Sequence, residues 1–230
     1  MTTLGVVTAR GGSKGIPRKN LVDLGGRPLL AWTAEAALAS GLDRVVLSTD
    51  DDEVAEVGRA LGLDVPVRRP SELAGDGALS IDVVLHMLDA IGDPQVHAVM
   101  LLQPTAPLRT TADIDGVLEL FERERPDSVI SVTPVDGHHP ARMKFIEDGE
   151  LLDPPYVEAY ENQPRQELRP VYIKNGAVYL TRREVVESRS FKGGRALAWV
   201  MPPERSVNID GPFDLGVARA IVTGTLDSSV

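Results

Sequence analysis

The chain has 230 residues, is 43% hydrophobic, and carries 34 acidic against 24 basic residues for a formal net charge of −10. That length suits one α/β domain with a substantial core, and that charge argues against general binding to nucleic acid or to a membrane surface, both of which reward basic proteins. The lack of cysteine removes disulfides and thiolate zinc sites, and no apolar run approaches the ~18 residues of a membrane span, so a cytoplasmic protein without a signal peptide is expected.

Residues 6–8 form a short β-branched run that reads as a buried first strand. It opens into Ala9-Arg10-Gly11-Gly12-Ser13-Lys14-Gly15. The glycines let this loop turn and bring backbone N–H groups close to a ligand. Arg10, Lys14, Arg18 and Lys19 place four cations within ten residues. A strand feeding a cationic glycine loop is suited to a polyphosphate. Neither G-x-x-x-x-G-K-[ST] nor G-x-G-x-x-G occurs there. The plain alternative is a solvated basic loop.

The run A-R-G-G-S-K, followed by Pro17-Arg18-Lys19-Asn20 as P-x-K-N, resembles the N-terminal signature of CMP-sialic acid synthetases. These cytidylyltransferases activate acidic nine-carbon sugars, and CMP-Kdo synthetases are more distant relatives. The resemblance implies that Lys19 lies near the α-phosphate of CTP, and that Arg10 and Lys14 hold the β- and γ-phosphates. It places Gly11, Gly12, Ser13 and Asn20 in the same nucleotide site.

Residues 21–28 read as a turn around Gly25-Gly26, and residues 29–40 as a helix with Gly41 at its C′ position. Arg44–Ser48 is a second strand. Asp50-Asp51-Asp52 contains a D-x-D, the metal motif of many glycosyltransferases. A cap and favourable charges at the start of a helix that runs to Leu61 explain it better. Residues 64–68 read as a third strand. Residues 69–80 then resemble the family's R-P-x-E-L-A-x-D-x-x-x-S loop. That likeness implies that Arg69 and the backbone from Ala78 to Ser80 read cytosine and hold the nucleoside. Ser80 also reads as the N-cap of a helix whose stripe is Ile81, Val84, Leu85, Leu88 and Ile91, with His86 off the stripe at the surface.

Residues 97–102 form an apolar central strand that ends in Gln103-Pro104-Thr105-Ala106-Pro107-Leu108-Arg109, which resembles L-L-Q-P-T-S-P-L-R. The carboxyl ends of strands in an open α/β sheet face the ligand crevice, so Gln103 is a candidate to bond an acceptor sugar. Arg109 is a candidate partner for Asp113 or Asp115 on the next helix. A strand at 128–133 follows, and then the alternation of strand and helix breaks down. Asp148-Gly149 marks a hairpin between residues 143–146 and 151–152. Asn162-Gln163-Pro164-Arg165-Gln166 resembles the family's Q-P-R-Q. The likeness implies that residues 138–170 are an arm exchanged in a homodimer. A hairpin with so little core needs a partner surface. Arg142 and Arg165 are candidates to grip the acceptor's carboxylate, with a dimer salt bridge as the alternative. His138-His139 has no evident third ligand and is not read as a metal site.

Lys174-Asn175-Gly176-Ala177-Val178-Tyr179 resembles R-P-N-G-A-I-Y, with Lys174 in place of proline. Asn175 and Tyr179 are candidate acceptor contacts. Thr181-x-x-Glu184 reads as a capping box. A strand at 197–200, a last helix to about Val222 and a loose tail at 223–230 complete the chain. Before that helix the family shows S-x-D-I-D, with both aspartates near magnesium. Here the pair is Asn208 and Asp210, so one neutral oxygen replaces a charge toward Mg2+ (or Mn2+).

The resemblance covers residues 4–219. It implies one cytidylyltransferase domain over 1–230, with a three-layer Rossmann-like nucleotidyltransferase α/β fold, a mostly parallel mixed sheet and a small dimerisation arm. It implies transfer of CMP from CTP to the anomeric hydroxyl of an acidic ulosonic sugar. Three alternatives stand beside it: a cytidylyltransferase for a phosphonate or another small acid, a D-x-D glycosyltransferase, and a non-catalytic CTP-binding protein suggested by Asn208.

Overall fold

The computed structural model describes residues 2–225. Strand β1 (Thr2–Thr8) leads into the glycine loop and then a small hairpin of β2 (Asp23–Leu24) and β3 (Arg27–Pro28). Helix α1 (Leu29–Leu38), β4 (Arg44–Ser48), α2 (Asp52–Ala60), α3 (Ser80–Ile91), β5 (Val96–Leu102), α4 (Thr111–Glu124) and β6 (Ser128–Pro134) follow. A second hairpin pairs β7 (Phe145–Glu147) with β8 (Glu150–Leu152). The chain closes with β9 (Tyr172–Arg182), α5 (Arg183–Glu187), β10 (Ala196–Val200) and α6 (Pro212–Val222).

Six strands form one sheet in the order β10-β6-β9-β5-β1-β4. All neighbours run parallel except β9, which is antiparallel to both β5 and β6. Successive side chains of a strand point to opposite faces. Leu4, Val6, Val99 and Leu101 therefore meet Ile81, Val84 and Leu88 of α3 on one face. Val7, Leu47, Met100 and Leu102 meet Leu30 and Ala34 of α1 and Ile114 and Val117 of α4 on the other. The result is the expected three-layer α/β arrangement. A separate small cluster joins Ile16 of the glycine loop to Ile209, Leu215 and Ala218 near the chain's far end. Among the described residues, no helix is long and apolar enough to cross a membrane.

Several local expectations change. The first strand starts at Thr2, because Gly5 does not break it. A side chain at Gly5 would instead press on Leu42, at 2.9 Å. Residues 64–68 make a single bridge, Val46 to Asp64, and no strand. Pro66 has no N–H to extend the ladder. Ser80 is the first residue of α3 and not its cap, and the Leu79 cap position makes no side-chain bond. Thr181 belongs to β9, and its hydroxyl donates to the Phe191 carbonyl, so it does not cap α5. His86 is half-buried, with Nδ1 out of solvent and unpaired. The long strand β9 is hidden in sequence because its first residues are exposed and Gly176 interrupts it at φ 75°. The register with β6 shifts at that point. A bulge of this kind bends a strand and re-aims its side chains.

Packing of α4 on β10 depends on Gly116. A Cβ there would lie 2.2 Å from the Trp199 ring. Alanine favours helix by about 1 kcal/mol, yet overpacking against a rigid indole costs about 1–3 kcal/mol. Gly116→Ala should therefore lower stability in urea denaturation. An unchanged midpoint would mean that α4 can slide on the sheet.

Candidate active site

The chain order reverses at β1 and β5, which is where open α/β sheets bind ligands, beyond the carboxyl ends of the strands. The loop after β1 is built on the segment after β4. Ala9 N–H donates to the Ser48 carbonyl at 3.0 Å, and Gly11 N–H donates to Asp50 at 3.0 Å. Asn20 closes the loop by donating to the Arg10 carbonyl at 2.8 Å. The aspartates of the D-x-D are thereby occupied. Asp51 caps α2 through the Val54 N–H at 2.9 Å, and Asp52 pairs with Arg68 at 2.5 Å. They serve the fold as caps and struts, as the helix reading expects.

The loop shapes a cavity of about 340 Å³ lined by Arg10, Ser13, Lys14, Lys19, Asn20, Arg69, Ala78, Ser80 and Gln103. Nine predicted residues therefore share one space. Gly11 and Gly12 lie on the loop behind it, Gly11 packed so closely on Asp51 that a Cβ would sit 2.5 Å away. Arg10 and Lys14 both pair with Asp76, at 3.1 and 2.6 Å. Lys19 is only 12% exposed, donates to the Ile209 carbonyl at 2.8 Å and stands 3.8 Å from Asp210. The loop also touches the far segment directly, since a Cβ on Gly15 would lie 2.2 Å from the Asp210 carbonyl oxygen.

Arg69 lines the cavity, but its guanidinium is largely committed elsewhere. It donates to the Ser48 hydroxyl at 3.0 Å and the Ser48 carbonyl at 2.5 Å. Burial pushes it down to about 10, partly offset by Asp50, so it stays charged at neutral pH. Gln103 and Asn208 converge over Gly176: a Cβ there would be 3.0 Å from Gln103 Oε1 and 3.5 Å from Asn208 Oδ1. Asn208 Nδ2 donates to Asp210 Oδ2 at 3.0 Å, and Asp214 accepts from the Asp210 N–H at 3.0 Å.

A family profile described as Cytidylyltransferase matches residues 4–189. The chain belongs to the cytidylyltransferase family. It is 33% identical over 214 residues to an N-acylneuraminate cytidylyltransferase of Streptococcus agalactiae serotype V, covering 91% of this chain and 51% of that one. It is 33% identical over 216 residues to N-acylneuraminate cytidylyltransferase B of Danio rerio, covering 93% and 50%. The chain thus spans about half the length of those curated relatives. A CMP-N,N'-diacetyllegionaminic acid synthase of Legionella pneumophila is 32% identical over 231 residues, covering 96% of this chain and 97% of its own. In fold, the chain is similar to a CMP:2-keto-3-deoxy-manno-octonic acid synthetase solved with CTP, with a TM-score of 0.74 at 17% identity over 98% and 100% of the two chains. It is also similar to a 4-diphosphocytidyl-2C-methyl-D-erythritol synthase of Anaerococcus prevotii, with a TM-score of 0.68 at 14% identity over 96% and 98%.

Besides Gly11, Gly12, Asn208 and Asp210, the four predicted acceptor contacts other than Gln103 lie outside the cavity lining of this family member. Asn175 is buried, and its amide is fully engaged. It accepts from Ser131 at 2.6 Å and the Ala177 N–H at 3.2 Å, and donates to Ser206 at 2.9 Å. It links β9 to β6 and to the segment carrying Asn208 and Asp210. Tyr179 packs on Phe191 on the α3 face of the sheet, and burial pushes its phenol up. Arg142 donates to Glu158 at 3.0 Å and to the Gln163 carbonyl at 2.7 Å, within the arm. Arg165 lies on the arm, in the turn Arg165–Glu167. His139 is occupied by the Arg169 carbonyl and the Ala141 N–H, and no cluster of three or more His, Cys, Asp or Glu occurs among the described residues.

Sequence reasoning missed the groups that hold these parts in place. Arg109 feels the Asp113 charge but forms no hydrogen bond or ion pair with Asp113 or Asp115 among the described residues. It is buried and donates to the Ala177 carbonyl at 2.8 Å, the Thr33 hydroxyl at 2.7 Å and the Gln103 carbonyl. Burial pushes its guanidinium down to about 9. Asp113 is instead gripped by Arg205 at 2.9 and 3.0 Å, while it closes the capping box of α4 with Thr110. The only hint in sequence was the spacing Thr110-x-x-Asp113 before an apolar run, a signature of helix starts.

The Asp113–Arg205 pair sets a pH dependence. Burial alone would raise the Asp113 carboxyl, but Arg205 and the Thr110 N–H and hydroxyl outweigh it, so it titrates below its ordinary range. The unfolded chain then binds this proton more readily, so the contribution is complete above about pH 4 and is lost as pH falls through the folded value. In Arg205→Met only Thr110 still lowers this carboxyl against burial, so its folded value rises. The acid-induced loss that Asp113 contributes should then shrink or reverse, and the two proteins should converge in stability as pH falls below about 4. Arg205 is 39% exposed, so screening takes the cost at neutral pH below the ~3–5 kcal/mol of a fully buried pair, to about 2 kcal/mol. Urea denaturation from about pH 7 down to about pH 3 measures both effects. Parallel curves for the two proteins would refute the assignment.

Proposed function

We propose that the protein transfers CMP from CTP to the anomeric hydroxyl of an acidic ulosonic sugar of the sialic acid type and releases pyrophosphate. One observation carries this reading: Arg10, Lys14 and Lys19 meet in one cavity with the 69–80 loop and Gln103, beside Asp210. The Legionella relative, matched over nearly its whole length, bears the name of such a synthase. A cysteine-free chain acting on a nucleoside triphosphate fits the cytoplasm.

In this reading Lys19 Nζ, aimed by the Ile209 carbonyl, faces the α-phosphate. The acceptor hydroxyl attacks in line, and charge grows on the phosphate oxygens. A cation already fixed in place lowers that barrier without having to reorganise. Arg10 and Lys14 hold the β- and γ-phosphates, and the backbone of Ala78 and Ser80 with Arg69 flanks the nucleoside. Gln103 meets the acceptor near Gly176. Asp76 is the one carboxylate among the described cavity residues, and it is paired, so no general base is assigned.

Asp210 is 77% exposed, and it and Asn208 offer hard oxygen donors beside the cationic loop. Magnesium is commonly held by one or two carboxylates plus substrate phosphates, so this donor set fits Mg2+ (or Mn2+). When bound, the ion neutralises phosphate charge.

The arm at 138–170 shows Phe145, Ile146 and Leu151 to solvent. A two-stranded hairpin that exposes such residues is marginal alone. A homodimer with exchanged arms would cover them. Arg142, already aimed by Glu158, and Arg165 would then meet the acceptor's carboxylate across the interface. Asn175 acts at the acceptor side through β9, by holding Ser206 ahead of Asn208.

Pyrophosphate release with CTP, compared with ATP, GTP and UTP, over a panel of ulosonic acids and phosphonates is the direct test. Activity only with a phosphonate would transfer the reading to that acceptor class, and CTP binding without any release would favour a non-catalytic role. Lys19→Ala should lower kcat by about 100- to 1,000-fold while weakening CTP binding less than about tenfold. Equal losses in both would contradict its transition-state role.

A further inference from the structure

Asp76 is an acidic side chain where an anionic ligand is to bind. Its Oδ1 lies 3.1 Å from Arg10 Nη2, and its Oδ2 lies 2.6 Å from Lys14 Nζ. Its two oxygens are thus divided between two cations, as two phosphate oxygens would be. Arg10 is further steadied by donating to the Ala74 carbonyl at 3.3 Å. The Lys14 ammonium, and then the Arg10 guanidinium, hold the Asp76 carboxyl below the usual carboxylate range. It is therefore ionised at neutral pH. Asp76 stands between Gly75 and Gly77, and the space where either would carry a Cβ is open. The Asp76 side chain is itself half-exposed, so solvent is open to it when it leaves the two cations.

A polyphosphate that takes the Arg10 Nη2 and Lys14 Nζ donors at these distances competes with the carboxylate for them. Binding there is an exchange of one anion for another. We propose that Asp76 is a built-in competitor for the distal-phosphate subsite, displaced when CTP binds and returning as pyrophosphate leaves. The proposal rests on the reading that Arg10 and Lys14 hold the distal phosphates. Asp76 acts as a positioning and selecting residue: it keeps the two cations in place in the free protein and sets a threshold that only a polyanion crosses. A single phosphate at Lys19 does not need the exchange, so CMP is exempt from it. The return of Asp76 favours departure of pyrophosphate, the product with the most charge to release.

The test is calorimetric titration of the full chain at fixed Mg2+ with CTP, inorganic pyrophosphate and CMP, for the wild type, Asp76→Asn and Asp76→Ala. Removing two half-exposed ion pairs should tighten CTP and pyrophosphate by a similar factor, about 3- to 20-fold, and leave CMP within about twofold. A merely structural role for Asp76 would shift all three ligands together. Weaker or unchanged CTP and pyrophosphate binding in both variants would overturn the proposal, as would equal tightening for CMP. If pyrophosphate tightens but CTP binds neither the wild type nor the variants, the exchange stands and the nucleotide reading fails.

Discussion

The bond from Lys19 Nζ to the Ile209 carbonyl joins residues 190 positions apart, and the site depends on it. It fixes a cation of the first loop against the lead-in to the last helix. Without it the glycine loop would be a basic segment at one end of the sheet, and Asp210 an exposed carboxylate at the end of a strandless stretch. The apolar cluster of Ile16 with Ile209 and Leu215 joins the same two segments. Burial of a few such side chains supplies about 1.5–3 kcal/mol each, enough to hold a loop that carries like charges close together.

Charge explains much of the local design. The protein is acidic as a whole, yet its N-terminal loop concentrates cations that repel one another. In the free structure most have an acidic partner: Arg10 and Lys14 have Asp76, Arg18 has Asp51 and Glu53, and Lys19 stands near Asp210. Exposed pairs of this kind are individually weak. That weakness is useful, because an incoming polyphosphate can outcompete them while the cations remain aimed.

The buried polar groups work differently. Arg109 and Asn175 look like ligand residues by type and position, but both spend their hydrogen bonds inside the protein. A buried guanidinium or amide is costly unless it is satisfied, so such a network is rigid once complete. Arg109 holds the carbonyls of Gln103 and Ala177, and Asn175 holds Ser206 ahead of Asn208. The atoms that face the cavity are therefore aimed by groups that do not.

By itself the sequence determined the contiguous parts: the cationic glycine loop, the aspartate cap of α2, the apolar stripe of α3, the apolar central strand and the family to which they belong. Those features follow from spacing along the chain, since a loop or a helix face is set by residues close in sequence. Tertiary structure alone decided the rest. The antiparallel insertion of β9, bulged at Gly176, was not legible, because its pairing with β5 and β6 depends on partners far away in the chain. Its local pattern is also broken by glycine and by exposed residues. The partner of each charged side chain was equally hidden. Asp113 lies four residues from Arg109 yet binds Arg205, and Arg10 meets Asp76 rather than its neighbours. Which opposite charge a side chain meets is fixed by how loops return to the sheet's edge, and no periodicity records that.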